Sequence, residues 1–249
     1  MNDKTKIALC LSGEPRSSMF CFPYIYESLI NLGPEYEVDV YIHSWRNFRA
    51  LNLYNPKNYT IDWIDEERFF ASFMDYQLDL NVPSILRNIK EFNSHSYSSN
   101  SIKNYLLMYL SNKRCFNLIN TSYDIYIRSR LDFYLNSPLD IISSINDIKN
   151  KKYDVSIPLL LLDNPLKKDV SNLFSDQFAI CNLKGAKYYF NIFDNIPNLI
   201  EKTEAMNSHV WLKSYLENSN LNIKPSNFFT DLVRSSRVIT AYHQPYYDN

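Results

Sequence analysis

The stretch Tyr123-Asp124-Ile125-Tyr126-Ile127-Arg128-Ser129-Arg130-Leu131-Asp132 decides how this chain is read. Its first part is rich in β-branched and aromatic residues and predicts a strand. The strand then breaks into charge, placing two guanidinium groups and a carboxylate at its C-terminal edge. In open α/β sheets, ligands bind outside the carboxyl ends of the strands. Charge is costly to hold at such a place unless something needs it.

Upstream, Ile7-Ala8-Leu9-Cys10-Leu11 forms a compact apolar run that ends in Ser12-Gly13-Glu14-Pro15-Arg16-Ser17. A strand followed by a Gly/Pro turn is the expected opening of a nucleotide-binding α/β domain. Residues from Phe22 to Leu32 carry helical spacing, stopped by Gly33-Pro34. Val38-Asp39-Val40-Tyr41-Ile42 predicts a second strand running into His43-Ser44-Trp45. Two strand–turn–helix units in the first fifty residues favour a parallel sheet with crossovers. Residues from about 47 to 99 read mostly as loop, with a short amphipathic helix around Arg68 to Met74. Ile102 to Ile119 predicts the helix that delivers the chain to the Tyr123 strand.

Downstream, Pro138 to Ile148 predicts a short helix. Val155 to Leu162 is a strand candidate that Pro158 shortens, and Ser175-Asp176-Gln177 is a polar turn feeding a strand through Cys181. Gly185 to Phe193 and Glu201 to Leu216 predict helices; Asn222 to Pro225 and Arg237 to Thr240 predict late edge segments. With no repeat, low-complexity tract or evident linker, the expectation is one α/β domain over residues 1–249, with a mostly parallel central sheet flanked by helices.

Composition narrows the function. A hydrophobic share of 45% in 249 residues supports a full core, and a net charge of -1 argues against a general nucleic-acid-binding surface. The four cysteines are widely spaced and predict buried reduced thiols. Met1 to Lys6 leads straight into a strand-like run, and no stretch approaches the roughly 20 apolar residues of a membrane span. A cytoplasmic protein is therefore expected, with peripheral membrane contact left open. Asn58-Tyr59-Thr60 and Asn120-Thr121-Ser122 match the glycosylation pattern, as an Asn-rich chain does by chance.

In a parallel sheet three groups converge. Ser12, Gly13 and Arg16 follow the first strand: Gly13 lets backbone approach a ligand, and Arg16 can pair with phosphate. The alternative is a plain turn with a surface arginine. Arg128, Arg130 and Asp132 form the second group. Asp132 can hold Mg²⁺ or Mn²⁺ bridging a diphosphate, or the arginines can neutralise that diphosphate without metal. The alternative is an Arg130–Asp132 surface salt bridge of little worth to stability. Asp176, in the third group, can bind an acceptor hydroxyl or act as general base, unless it only caps its strand. His43 with Trp45 can stack on or bond a base or sugar, or else pack the sheet. Glu204 and His209 fall on a helix whose default is a solvated face, with acceptor binding as the alternative. His95 and His243 stand alone.

The stretches Ile7 to Ser17, Val38 to Trp45, Tyr123 to Asp132 and Ser175 to Ile180 resemble, in the same order, a family of bacterial and viral glycosyltransferase-like proteins. The resemblance leaves out roughly residues 47 to 95 and the tail. It implies a GT-A fold, a Rossmann-like sheet that binds a nucleotide sugar and carries a metal-binding DxD near its middle. Here Arg130-Leu131-Asp132 stands in that place and keeps only the second acid. By position the resemblance implies Asp132 at the metal or diphosphate, Ser12, Gly13 and Arg16 at the nucleotide, and Asp176 facing the acceptor. The implied activity is sugar transfer to a glycan, lipid-linked glycan or glycoprotein, with Mn²⁺ or Mg²⁺ as the cofactor. Gly13-Glu14-Pro15-Arg16-Ser17 is also similar to the phosphate loop GxPRSGT of sulfotransferases, although Ser18-Met19 departs from its continuation. A non-catalytic α/β binding module is the third reading.

Overall fold

The structure is a computed structural model that describes residues 4–46, 48, 50–63, 99–135, 138–159, 173–203, 207–226 and 230–232. The expectations for Arg68 to Met74, His95, Leu160 to Leu162, Glu204, Arg237 to Thr240 and His243 lie outside those residues. In chain order the strands are β1 (Thr5–Gly13), β2 (Tyr36–Ser44), β3 (Asn58–Ile61), β4 (Ile125–Arg130), β5 (Phe133–Leu135), β6 (Val155–Pro158), β7 (Phe178–Cys181), β8 (Ile223–Ser226) and β9 (Thr230–Leu232). Seven of them form one sheet in the order β3-β2-β1-β4-β7-β6-β8, and β5 pairs with β9 apart from it. Every strand of the large sheet runs the same way except β7, which is antiparallel to both β4 and β6. This is the mostly parallel, helix-flanked sheet expected, and its β3-β2-β1-β4 half has the order of a nucleotide-binding doubly wound fold.

Among the described residues six α-helices cover the sheet: α1 (Ser18–Ile25), α2 (Ser99–Phe116), α3 (Pro138–Lys149), α4 (Leu183–Tyr189), α5 (Ile196–Thr203) and α6 (Ser208–Glu217). Strand side chains alternate between the two faces. Ile7, Leu9, Ile42 and Ile127 pack on Cys21, Ile25, Ile141 and Ile145 of α1 and α3. Ala8, Cys10, Tyr41, Tyr126 and Ala179 pack on the opposite face against α2, α4, α5 and α6, with Leu106, Tyr109, Tyr189 and Trp211 at the centre. Burial on both faces explains why β1 reads as a continuous apolar run. All four cysteines are buried free thiols.

The structure departs from the sequence pattern in four places. The first helix starts at Ser18 and holds Pro23 inside it, then passes into a π-helical turn over Tyr26–Ile30 that Asn31 closes onto the Tyr26 carbonyl. Proline removes one ladder donor, and such helices accommodate the loss locally. The second departure is β3, which lies in the stretch expected to be loop. Its residues are mostly exposed at the sheet edge, so no apolar alternation announces it. Third, α4 begins before Gly185 rather than at it. A Cβ there would sit 2.2 Å from the Asp154 carbonyl, so the helix can lie against β6 only with glycine in that place. Fourth, the helix expected over Glu201 to Leu216 has two separate described parts. Asn207 caps the second, its side-chain oxygen accepting from the backbone N–H of His209 (2.9 Å) and Val210 (3.3 Å).

Candidate functional site

Sheet register assembles the site. Ser12 at the end of β1 is level with His43 of β2 on one side and Arg130 of β4 on the other. Three residues that are far apart in sequence thus share one row at the C-terminal edge. Immediately after Ser12, Gly13 takes φ +112, with nothing within 4 Å of where a Cβ would be. The glycine is needed for the turn of the backbone, not for want of space. β1 is flanked by β2 and β4 at the point where the strand order reverses, so its end opens the crevice in which such sheets bind ligands. A cavity of about 350 Å³ lies there; Ser12, Gly13, Arg16, Arg130, Asp176 and His209 are among the residues lining it.

Asp132 is the electrostatic centre of the left wall. It is 1% exposed, and both of its oxygens accept from Arg130, Oδ1 from Nε at 2.7 Å and Oδ2 from Nη2 at 2.9 Å. The Arg16 guanidinium stands 3.8 Å from Oδ2 and is itself more than a third exposed. Burial opposes the Arg130 charge, but the paired bond to Asp132 outweighs it and holds the pKa above the ordinary value. The pair is therefore a buried fork-to-fork contact, not the surface salt bridge posed as its alternative. One carboxylate thus holds Arg130 through two bonds and stands within ion-pair distance of Arg16, and both arginines line the cavity.

Arg128 belongs to the same face two residues earlier but lies beneath the floor. It is wholly buried; its Nε donates to Asn112 Oδ1 at 3.1 Å and its Nη1 to the Gln177 carbonyl. The same Asn112 oxygen accepts from Ser12 Oγ at 2.6 Å. Arg128 Nη2 and Asn112 Nδ2 are left without a partner. No described carboxylate comes within ion-pair distance of Arg128, and burial lowers its pKa. Arg128 thus ties α2, β1 and the turn before β7 together from below. Asn112, which makes this junction, was not singled out in the sequence; its place on α2 gives no local signal.

His43 does not reach the cavity. It is fully buried, with Nδ1 2.6 Å from Ser111 Oγ and Nε2 3.0 Å from Asp62 Oδ2. Burial lowers its pKa, with the Asp62 bond acting in the opposite sense. Its ring meets Trp45 edge-on at 4.6 Å, and the Arg114 guanidinium lies over Trp45 at 5.2 Å while bonding Asp62. Trp45 is the member of the pair that lines the cavity.

The right wall comes from the reversed strand. Because β7 runs against its neighbours, the turn that precedes it arrives at the C-terminal edge of β4, and Asp176 and Gln177 face the cavity. Asp176 is 5% exposed. His209, in the first turn of α6, sets its Nδ1 3.0 Å from the Phe174 carbonyl and 3.8 Å from Asp176 Oδ2. The helical position that predicted a solvated face instead turns inward.

A divalent cation of the Mg²⁺ or Mn²⁺ type takes several oxygen ligands, carboxylates among them. Among the described residues no three His, Cys, Asp or Glu side chains gather into such a set. Asp132 already gives both oxygens to Arg130. Among the described residues, the donor set as packed does not offer a resident cation the oxygen ligands it needs.

No protein-family model matches the chain, and no curated protein matches its sequence. Solved structures similar to it include mouse xyloside xylosyltransferase 1 in its apo form, at 10% identity over 90% of this chain and 85% of that one, with a TM-score of 0.46. The galactosyltransferase LgtC in complex with donor and acceptor sugar analogs is similar at 11% identity over 90% and 73%, with a TM-score of 0.47. The mannosyltransferase Ktr4p from S. cerevisiae is similar at 10% identity over 92% and 70%, again with a TM-score of 0.47.

Proposed function

We propose that this chain is a glycosyltransferase of GT-A type, moving a sugar from a nucleotide-sugar donor to a glycan, lipid-linked glycan or glycoprotein acceptor. One observation carries the proposal. The cavity at the strand-order reversal has arginine on one wall and an acidic residue with histidine on the other. The diphosphate of the donor lies against Arg16 and Arg130, with Ser12 and the turn at Gly13 beside the nucleotide. Trp45 gives an apolar face to a ring, and Asp176 meets the acceptor.

Catalysis on this arrangement is positioning plus stabilisation of the charge that develops on the departing nucleoside diphosphate. Arg130 is suited to the task because Asp132 orients its fork before the donor arrives, so little ordering remains to be done on binding. Arg16, the more exposed of the two arginines, supplies a second charge. Since Asp132 is engaged with Arg130, the arginines take the part that a cation bound to two acids would play, and no step is assigned to a metal.

Thermal-shift measurements with UDP-, GDP- and dTDP-sugars test the proposal, with and without EDTA. Stabilisation by one donor class, followed by release of its nucleoside diphosphate, is the expected result. Stabilisation by a 3′,5′-bisphosphate nucleotide instead would assign the Gly13 to Ser17 loop to sulfuryl transfer, and stabilisation by neither would leave a binding module. Activity that collapses in EDTA and returns with Mn²⁺ would mean that Asp132 leaves Arg130 to take a cation.

A further inference from the structure

We infer that His209 is the base that takes the proton of the acceptor hydroxyl, with Asp176 as the carboxylate that stabilises the resulting imidazolium. The inference rests on the glycosyltransferase reading and gives a chemical role to a residue which that reading leaves unassigned. Its basis is the geometry of the right wall. Nδ1 lies 3.0 Å from the Phe174 carbonyl, an acceptor with no proton to give, so Nδ1 carries the hydrogen and Nε2 holds the free lone pair. Among the described residues nothing bonds Nε2. The ring is mostly buried yet lines the cavity, and Asp176 Oδ2 stands 3.8 Å from the Nδ1 edge.

The placement is stiff. The backbone N–H of His209 is held by the Asn207 side chain, and Tyr109 of α2 donates to the Ser208 carbonyl at 2.8 Å. A base oriented by a carbonyl and flanked by a carboxylate follows the general logic of activated nucleophiles: one group fixes the tautomer and another stabilises the cation.

The step balances without a co-reactant. The acceptor oxygen loses its proton to Nε2 and forms a bond to the anomeric carbon. The bond from that carbon to the phosphate oxygen breaks, its electron pair leaving with the nucleoside diphosphate, and the imidazolium returns its proton to solvent. A single displacement of this kind inverts the anomeric centre.

Two variants separate the proton-transfer role from a structural one. In His209→Asn the amide nitrogen can still donate to the Phe174 carbonyl, but there is no equivalent of Nε2. In His209→Ala the space is open to added imidazole. Release of nucleoside diphosphate from UDP-, GDP- and dTDP-sugars, with water as acceptor, reads both. The expected result is a fall in kcat of about 100-fold or more in each variant, the usual size of a lost general base, with donor-induced thermal shifts unchanged and turnover in His209→Ala partly restored by imidazole. Wild-type kcat in His209→Asn, loss without imidazole rescue, or retention at the anomeric carbon would each overturn the assignment while leaving the glycosyltransferase reading in place. A wild-type protein that neither binds nor turns over any of these donors would overturn both.

Discussion

At the N-terminal end of the central strands, Asp39, Lys57, Tyr123 and Tyr41 close a polar network on itself; at the C-terminal end, the charged groups are held open. In the first, Lys57 donates to Asp39 at 2.6 Å and to Tyr123 Oη at 3.1 Å. Tyr123 donates to Asp39 at 2.6 Å, and Tyr41 lies 2.7 Å from Tyr123. Burial tends to raise the pKa of Asp39, but the bonds from Lys57 and Tyr123 prevail and hold it low. In the second, buried Arg128 and Asn112 keep unpaired donors, and Arg16 and Arg130 share one carboxylate between them. A satisfied network holds strands together, whereas an unsatisfied one is poised to receive a ligand. The same β-strands carry both.

The largest predicted effect breaks the open end. Asp132→Ala removes the partner of Arg130, and loss of one member of a buried pair costs about 3–5 kcal/mol. Donor turnover should fall by roughly 1,000-fold, equivalent to about 4 kcal/mol of barrier. Urea denaturation together with kcat checks both, and turnover like that of the wild type would remove the donor site from this end of the sheet. Arg128→Met comes next and should separate activity from stability. Removing an unpaired buried charge offsets part of the cost of the two hydrogen bonds lost with it, so stability should fall by only about 1–2 kcal/mol. Loss of the hold on the Gln177 carbonyl should shift the Asp176 turn and lower kcat by about 10- to 100-fold. A large fall in melting temperature would show instead that Arg128 is structural.

At the closed end, Tyr123→Phe should cost about 1–2 kcal/mol of stability through its lost hydrogen bonds and leave kcat unchanged. A change in kcat would mean that the two ends are coupled. The smallest effect is a slope. His43 sits at the C-terminal end of β2 yet has both ring nitrogens bonded, and burial lowers its pKa. The unfolded chain therefore takes up a proton near pH 6.5 while the folded chain does not, so stability falls as pH drops below about 6.5. Denaturation midpoints at pH 7 and pH 5 should differ more in the wild type than in His43→Gln. Equal differences would place His43 with the open end after all.

The elements legible in the sequence are those whose pattern is set by local burial. β1, β4 and the second half of β2 are buried and read as apolar runs, and the charge at Arg130 marks where β4 meets the crevice. Pairing direction is not local: nothing in Phe178-Ala179-Ile180-Cys181 says that β7 runs backwards, yet that reversal brings Asp176 to Arg130. β3 escaped because an exposed edge strand needs no apolar face. Residues that line the cavity were legible where charge stood at a strand end, as at Arg130. His43 misled because a histidine after a strand is the same word whether it faces a ligand or a serine and an aspartate. Asn112 and His209 lie on helices, where sequence spacing gives a face but not the neighbour that the face meets.

The pairing of β1 with β4 sets the order in which the molecule can form. Ile7 finds Ile125 across a span of well over a hundred residues, and the first helix-and-strand unit is complete long before that. A nascent chain that has made β1 and β2 thus has no partner for the other edge of β1 until the ribosome has released β4. Contacts of such sequence separation make closure slow. The crevice comes into being only at that closure, so a chain stalled earlier has a strand edge to aggregate with and no site to protect it. In cells, the yield of this protein should depend on how long the edge of β1 is shielded.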